Sequence, residues 1–440
     1  MNGIAARRIF GRTFDCRCGR RHTVRPRRVV YADDAISHLP RLCERCAEPG
    51  RAAVLMDVRT REAAGAEAAA ALADAGWDVA EVVVEDPSEG QSPVCDEETK
   101  QSLAARIARP DVIVTVGSGV ITDLGKWLAF DAGIGFVSFA TAASMNGYTS
   151  ANVAATVGGV KTLIRARPAE AVLAAPAVLA GAPYEMTAAG LGDAMAKSVS
   201  SADWYLNHVL FGDYYCKSSV SLTADIEPLY ADHPGELAAR NGRAISALFE
   251  ALLLTGAAMT LAETSAPASG GEHLISHSLD MMAGLDGRGH DLHGRQVGVA
   301  SVLSAELWRR VLEVESPRLV DPPAGVDRAF WGPLADAVAA HYGEKTARLA
   351  QAKEIIARGD TWDRLRRELS PVPATPGRLR DCLGAAAAAC RAGDIGCDRP
   401  RLVSAFLHAH EIRSRFTVLD LGYLLGLLPR AASEIVAAWA

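Results

Sequence analysis

The sequence predicts an N-terminal α/β domain, a Rossmann-like doubly wound parallel sheet, followed by an all-α C-terminal domain. Three observations carry that prediction. From Arg51 to about residue 150, short apolar runs alternate with helical segments at the spacing of βαβ units. After about Glu170 the strand pattern stops, and alanine- and leucine-rich helical segments continue to the end of the chain. The strand pattern DVIVTV is followed at once by Gly117-Ser118-Gly119, a turn that opens a helix. The expected division is 1–168 for a dinucleotide-binding α/β domain and 169–440 for a helical metal-binding and substrate domain. An active-site cleft is expected between them, since ligands of such sheets bind outside the strands' carboxyl ends.

Taken in order, residues 10–31 read as an extended hairpin around Cys18-Gly19. RAAVLMDV is a short apolar run suited to a buried parallel strand, and EAAGAEAAAALADAG is a helix ending at Gly76. WDVAEVVVED is the second strand. DEETKQSLAARIAR is the next helix, with acidic residues in its first turn where they complement the helix dipole. PDVIVTVGSGVITDLGKWLAF reads as strand, glycine turn and helix, and GIGFVSFATAAS as a further strand. PPAG and SPVPATPG are the main interruptions of the helical half.

Composition narrows the function classes. With 440 residues, 49% hydrophobic and 22% charged, the chain has the make-up of an ordinary globular protein with large cores. A net charge of -6 argues against nucleic acid or an anionic membrane as the main partner. The richest apolar stretch, Leu248 to Leu261, is broken by Glu250 and reads as too short to span a bilayer. The first residues carry arginine without an apolar core, so no signal peptide is read there. Nine cysteines in such a chain suggest reduced thiols and a cytoplasmic setting. Cys16, Cys18, Cys43 and Cys46 could form a zinc knuckle, but LPRLCERCAE spaces leucine and cysteine for one helix face, and that reading is preferred.

The chemistry concentrates in Ser269–Gly298. His273 and His277 stand four apart, on one face of a helix, and His290 and His293 follow within the same stretch. Lone HxxxH spacing equally suits solvated histidines; the flanking glycines and the second histidine pair favour a divalent metal site. Its carboxylate must come from elsewhere. Asp193, in GLGDAMAK, is either the N-cap of a following helix or that ligand, and an Asp-His-His set suits a catalytic metal. Gly117, Ser118 and Gly119 suit a pyrophosphate at a helix N-terminus, with Asp123 and Lys126 one turn behind. Asp57 ends a strand, placed either to bind the adenosine ribose hydroxyls or simply to turn the chain. The loop Thr141 to Ser150 offers hydroxyls and an amide to a hydroxylated substrate or a phosphate.

Together, GSGVITDLGK, TAASMNGYTS, GLGDAMAKSVSSADW, SGGEHLISH and LHGRQVGV resemble, in order and spacing, the iron-containing alcohol dehydrogenase and dehydroquinate synthase superfamily. Within it the chain looks most like the bacterial sn-glycerol-1-phosphate dehydrogenase group. The N-terminal CxCGxxH hairpin (Cys16, Cys18, Gly19, His22) and the C-terminal RSRFTVLDLGYLLG support that branch. The resemblance implies a metal-dependent reductase of dihydroxyacetone phosphate, in phospholipid metabolism, using NAD(H) or NADP(H) and one divalent ion (Zn, Ni or Fe).

Residue by residue, it implies metal ligation by Asp193, His273 and His293, with His277 beside the nicotinamide or substrate; the proton for the reduced oxygen is then expected from His277 or from solvent. Gly117, Ser118 and Gly119 would hold the pyrophosphate and Asp57 the ribose, with Asp123, Thr141 and Ser144 also on the cofactor side. Asn146 would meet nicotinamide and substrate, and Lys161 the substrate phosphate. A small anionic substrate and a homodimer are implied, with neither nucleic acid nor membrane as partner. Two positions depart from the pattern. Asn146 stands where many relatives carry Asp, and His293-Gly294-Arg295 where they read HGE. Arg295 could bind an anionic substrate, which leaves open another anionic ketone such as a phosphonate. A dehydroquinate synthase-like cyclase is disfavoured because that group usually carries Glu where Asp193 stands. A non-catalytic descendant is disfavoured by the complete ligand set.

Overall fold

The computed structural model describes residues 9–88 and 92–440; the first eight residues, part of the segment read for a signal peptide, lie outside it. The chain forms two compact units, residues 1–190 with 221–265 and residues 191–220 with 266–440.

The first unit contains β1 (Thr13–Asp15), β2 (Arg21–Thr23), β3 (Arg28–Tyr31), β4 (Arg51–Asp57), β5 (Asp78–Val84), β6 (Val112–Gly117), β7 (Gly135–Ala140), β8 (Asn152–Val157), β9 (Val160–Arg165) and β10 (Ala171–Ala174). Six strands make one sheet in the order β3-β10-β7-β6-β4-β5, every neighbouring pair parallel. The central strands are continuous apolar runs because a parallel sheet covered on both faces leaves neither side for polar residues; all six residues of β6 are buried. The helices α1 (Ala66–Asp74), α2 (Glu97–Arg106) and α3 (Gly119–Ala132) connect its strands. The chain moves outward from β4 to β5 and returns to β6 on β4's other side, so β4 and β6 flank the point where strand order reverses.

Three details differ from the sequence expectation. The hairpin closes with β1 and β2, but β3 leaves it to become the edge of the large sheet. β8 and β9 form an antiparallel hairpin that was not expected, although its turn, Gly158-Gly159 with φ of 55° and 79°, is the kind of glycine pair such a turn requires. The units are also not divided by a single cut at 168. β10 is an inner strand of the sheet, and helix α6 (Gly242–Ala262), from the helical half of the sequence, packs in the first unit. Its Thr260 Oγ1 donates to the Thr149 carbonyl at 2.9 Å, and Thr149 Oγ1 donates to the Leu253 carbonyl at 2.6 Å. This helix is the one segment among the described residues long and apolar enough to cross a membrane, and 89% of its apolar window is buried inside the protein.

In the second unit the elements that matter are the end of α4 (Tyr184–Met195), then α5 (Lys197–Phe211), α7 (Gly271–Leu285) and α8 (His293–Glu313). Asp193 lies inside α4, whereas α5 starts after Ala196. The N-cap alternative for Asp193 is therefore excluded. Gly190 and Gly192 do not turn the chain; both are helical, and they serve close approach. A Cβ on Gly192 would lie 2.0 Å from the Gly294 carbonyl oxygen, so only glycine lets α4 meet the start of α8.

Candidate active site

In the first unit, Asp57 and Gly117 end adjacent parallel strands, in a register that pairs Leu55 with Thr115 two residues earlier. They therefore stand side by side at the strand-order reversal, where open α/β sheets bind ligands. Ser118 is the N-cap of α3 and makes no side-chain cap bond, so the helix start depends on what else reaches its first N–H groups. Gly117 has a steric reason to be glycine, whereas a side chain at Gly119 would make only ordinary contact. A Cβ on Gly117 would lie 2.6 Å from Ile121 Cβ, and one on Gly119 would face Met145 Sδ at 3.6 Å.

Asp57 does turn the chain: its Oδ1 accepts from Thr60 N at 2.8 Å, and Thr60 Oγ1 accepts from Asp57 N at 2.9 Å. That uses one carboxylate oxygen. The other, Oδ2, lies 3.6 Å from Arg59, whose guanidinium also grips Asp86 at 2.7 and 2.9 Å. Cap and ribose acceptor are thus compatible roles for one side chain.

Asp123 behaves differently from the cofactor contact expected of it. It is buried, its Oδ1 accepts from Lys126 Nζ at 3.0 Å, and its Oδ2 accepts from Ala154 N at 2.9 Å. Lys126, fully buried, also donates to the carbonyls of Gly147 (2.8 Å) and Asn152 (2.9 Å). The pair fastens the loop that carries Ser144 and Asn146, and is a positioning device. In that loop Thr141 N donates to the Gly117 carbonyl at 3.1 Å, Ser144 is half-buried and Asn146 is buried. Lys161 is half-buried on β9, opposite Thr156.

In the second unit, the ligand atoms of Asp193, His273 and His293 all lie within 4.8 Å of one another. Asp193 and His273 are buried and His293 is half-buried. His273 Nε2 lies 3.5 Å from Asp193 Oδ1, and its Nδ1 is 2.8 Å from Glu272 Oε1. Burial alone would lower the His273 pKa, but hydrogen bonds to Asp193 and Glu272 outweigh it and raise it to about 9. A cation is what this pair of carboxylates selects for. Two imidazoles and a carboxylate in a buried cluster fit a divalent ion, the donor set being mixed N and O.

His277 is buried beside the cluster, its ring centroid 5.4 Å from that of His293 and 6.1 Å from that of His273. His290, by contrast, is exposed and pairs with Asp280 at 3.4 Å.

Several supporting residues had no assignment from the sequence. Ser276 Oγ donates to Gln296 Oε1 at 2.8 Å and lies 3.1 Å from His293 Nδ1. Its single proton is committed to Gln296, so it accepts from Nδ1–H, which makes His293 Nε2 the ring nitrogen that carries the lone pair. Asp203 accepts from Gly271 N at 2.7 Å and Val418 N at 2.8 Å, and so holds the first turn of α7. Burial, then neighbouring Glu272, raises the Asp203 pKa well above the ordinary carboxylate value against the pull of those amides. The adjacency of Glu272 to His273 was a readable signal; nothing local marks Asp203. Arg295 is already engaged. Its Nε donates to Asp291 at 2.9 and 3.0 Å, and its Nη2 donates to the Asp394 carbonyl. The expected substrate contact gives way to a clamp on the loop before α8.

The chain thus holds a parallel sheet with a Gly-Ser-Gly helix start, and a helical unit that carries an Asp-His-His cluster. The profile of the family described as iron-containing alcohol dehydrogenase matches residues 30–183. The chain is 32% identical over 301 residues to the glycerol-1-phosphate dehydrogenase [NAD(P)+] of Bacillus licheniformis, covering 68% of this chain and 74% of that protein. It is also 32% identical over 294 residues to the enzyme of the same name from Thermococcus kodakarensis, covering 66% and 80%. The chain belongs to the glycerol-1-phosphate dehydrogenase family. Among solved structures it shares its fold with the glycerol dehydrogenase of Schizosaccharomyces pombe, at a TM-score of 0.61 and 14% identity over 94% of this chain and 90% of that one.

Proposed function

We propose that the chain reduces dihydroxyacetone phosphate to sn-glycerol 1-phosphate with NADH or NADPH in the cytoplasm, as a homodimer. The buried Asp193–His273–His293 cluster, in a chain of this family, carries the reading. The first unit serves as the dinucleotide-binding part. Backbone N–H groups at Ser118 and Gly119 hold the pyrophosphate, Asp57 takes the adenosine ribose, and Thr141 and Ser144 line the nicotinamide side. Asn146 orients the substrate hydroxyl and Lys161 meets its phosphate.

In the second unit Asp193, His273 and His293 would hold one divalent ion: Zn, Ni or Fe. When bound, the ion supplies Lewis-acid polarisation of the ketone and the reduced nicotinamide supplies the hydride. Glu272 and Ser276 engage Nδ1 of the two imidazoles, so that Nε2 of each would be the nitrogen offered to the ion. Burial of the cluster excludes water, and His277 holds the proton that the reduced oxygen takes up.

The test follows NADH absorbance with metal-stripped protein and dihydroxyacetone phosphate, adding Zn, Ni or Fe(II) in turn. Metal-dependent NADH oxidation is expected. Metal binding with no oxidation would redirect the reading to another anionic ketone, although Arg295, once the reason to consider one, is tied to Asp291.

A further inference from the structure

The N-terminal hairpin takes no part in the proposed chemistry, yet it gathers a second set of metal-ligating atoms. β1 and β2 are joined by Cys16-Arg17-Cys18-Gly19-Arg20. In that turn Cys16 N donates to the Arg20 carbonyl at 2.9 Å and Gly19 N to the Cys16 carbonyl at 3.0 Å. Gly19, at φ 84°, takes the left-handed conformation that lets five residues reverse the chain. As a result Cys16 and Cys18 stand at one end of the hairpin with His22, which leaves the turn on β2 opposite Phe14.

The ligand atoms of Cys16, Cys18 and His22 all lie within 4.8 Å of one another, and Cys18 Sγ is 3.2 Å from His22 Nε2. Around tetrahedral zinc such atoms are separated by roughly 3.6–3.8 Å, given bonds of about 2.3 Å to sulfur and 2.0–2.1 Å to nitrogen. Small side-chain shifts therefore suffice to close the set on an ion. His22 is 4% exposed, so its ring is held in place before any ion arrives.

Cys43 and Cys46, read from the sequence as one helix face in preference to half of a zinc knuckle, do not join this set. Among the described residues neither belongs to a metal-ligating group, and burial raises both thiol pKa values, that of Cys46 to about 11.

We propose that Cys16, Cys18 and His22 bind a structural zinc ion, separate from the Asp193–His273–His293 centre. Two thiolates and an imidazole are soft donors that select zinc, whereas the mixed carboxylate and imidazole cluster admits several metals. The need is physical. A hairpin of two three-residue strands buries too little to be stable by itself, and a metal clip supplies what its core cannot.

Metal analysis of the full chain tests this. The doubly substituted Asp193→Ala/His273→Ala protein is expected to retain one zinc per chain after gel filtration. X-ray absorption at the zinc edge should show at least two sulfur ligands and an imidazole nitrogen. Adding Cys16→Ser and Cys18→Ser should remove that zinc, while His22→Cys keeps it and His22→Ala weakens it at least tenfold. A folded Asp193→Ala/His273→Ala protein without zinc, or zinc bound only through nitrogen and oxygen, overturns the proposal. Because the absorption measurement needs no cysteine variant, it decides the matter even if those variants fail to fold.

Discussion

Glu272 Oε1 lies 2.8 Å from His273 Nδ1, and the same oxygen accepts from Gly270 N at 2.8 Å. One buried carboxylate thus holds both the start of α7 and the imidazole that α7 presents. A carboxylate behind a ligating histidine raises its basicity and fixes its tautomer, and losing one costs about 10–100-fold in metal affinity. Glu272→Gln keeps the shape and removes the charge. Metal titration of this variant should show weaker binding on the order of tenfold or more with the helix intact. Unchanged affinity would mean that Glu272 serves only the helix.

The pH dependence of metal binding follows from the same contact. In the metal-free chain the His273 pKa is raised from 6.5 to about 9, so the protonated ring between Asp193 and Glu272 stabilises the folded state. That contribution is complete below pH 6.5 and is lost as pH rises through about 9. Thermal melts of metal-free protein should therefore fall across that window. Metal must displace the proton, so apparent affinity should climb by about tenfold per pH unit and level off above about 9. Calorimetry in two buffers of different ionisation enthalpy would count the proton released; zero protons at pH 7.5 would refute this account.

Much of this was readable because it is local. Apolar runs between helical segments specified β4 to β7, and the i, i+4 spacing of His273 and His277 specified their helix. What the sequence hid depends on partners far along the chain. β10 reads as part of a helical region until β3 and β7 flank it, and α6 belongs to the sheet unit only because Thr149 and Thr260 bond across about a hundred residues. Asp193 looked like a possible N-cap because local sequence does not show that its helix runs on through it, with Gly192 against the Gly294 backbone. Arg295 looked free for substrate until Asp291 and Asp394 came into place.

Gly192 makes that contact testable. Gly192→Ala places a methyl group 2.0 Å from the Gly294 carbonyl oxygen, a backbone atom that cannot swing aside. The end of α4 must move from the start of α8, separating Asp193 from His293. Overpacking of this kind costs about 1–3 kcal/mol or more. The expected outcome is a lower melting temperature together with lost metal, read by calorimetry and metal analysis. Retained metal at full affinity would show that the two helices need not touch for the ligands to meet.

Lys126 is a sharper case because it is a buried charge. Its ammonium meets Asp123 and two carbonyls with no exposure to water. Lys126→Met leaves the Asp123 carboxylate buried without its cation, a loss of about 3–5 kcal/mol. The doubly substituted Lys126→Met/Asp123→Leu protein removes both charges and should recover much of that stability. It should still bind dinucleotide poorly, since the loop carrying Ser144 and Asn146 has lost its fastening. Urea melts read the first effect and NADH fluorescence titration the second. Normal NADH affinity in the double variant would confine the pair to stability.

Asp57 separates the two roles its geometry allows. Asp57→Ser keeps an oxygen to cap the helix that follows β4, so stability should change by no more than about 0.5–1 kcal/mol. It removes the negative charge, which would repel a 2′-phosphate, and leaves the Arg59 guanidinium, still paired with Asp86, as the charge beside that position. The kcat/KM ratio for NADPH over NADH should then rise by about tenfold, equivalent to about 1.4 kcal/mol. A melting temperature that falls while the ratio stays constant would leave Asp57 as a cap alone, and the ribose would have to be sought at another strand end.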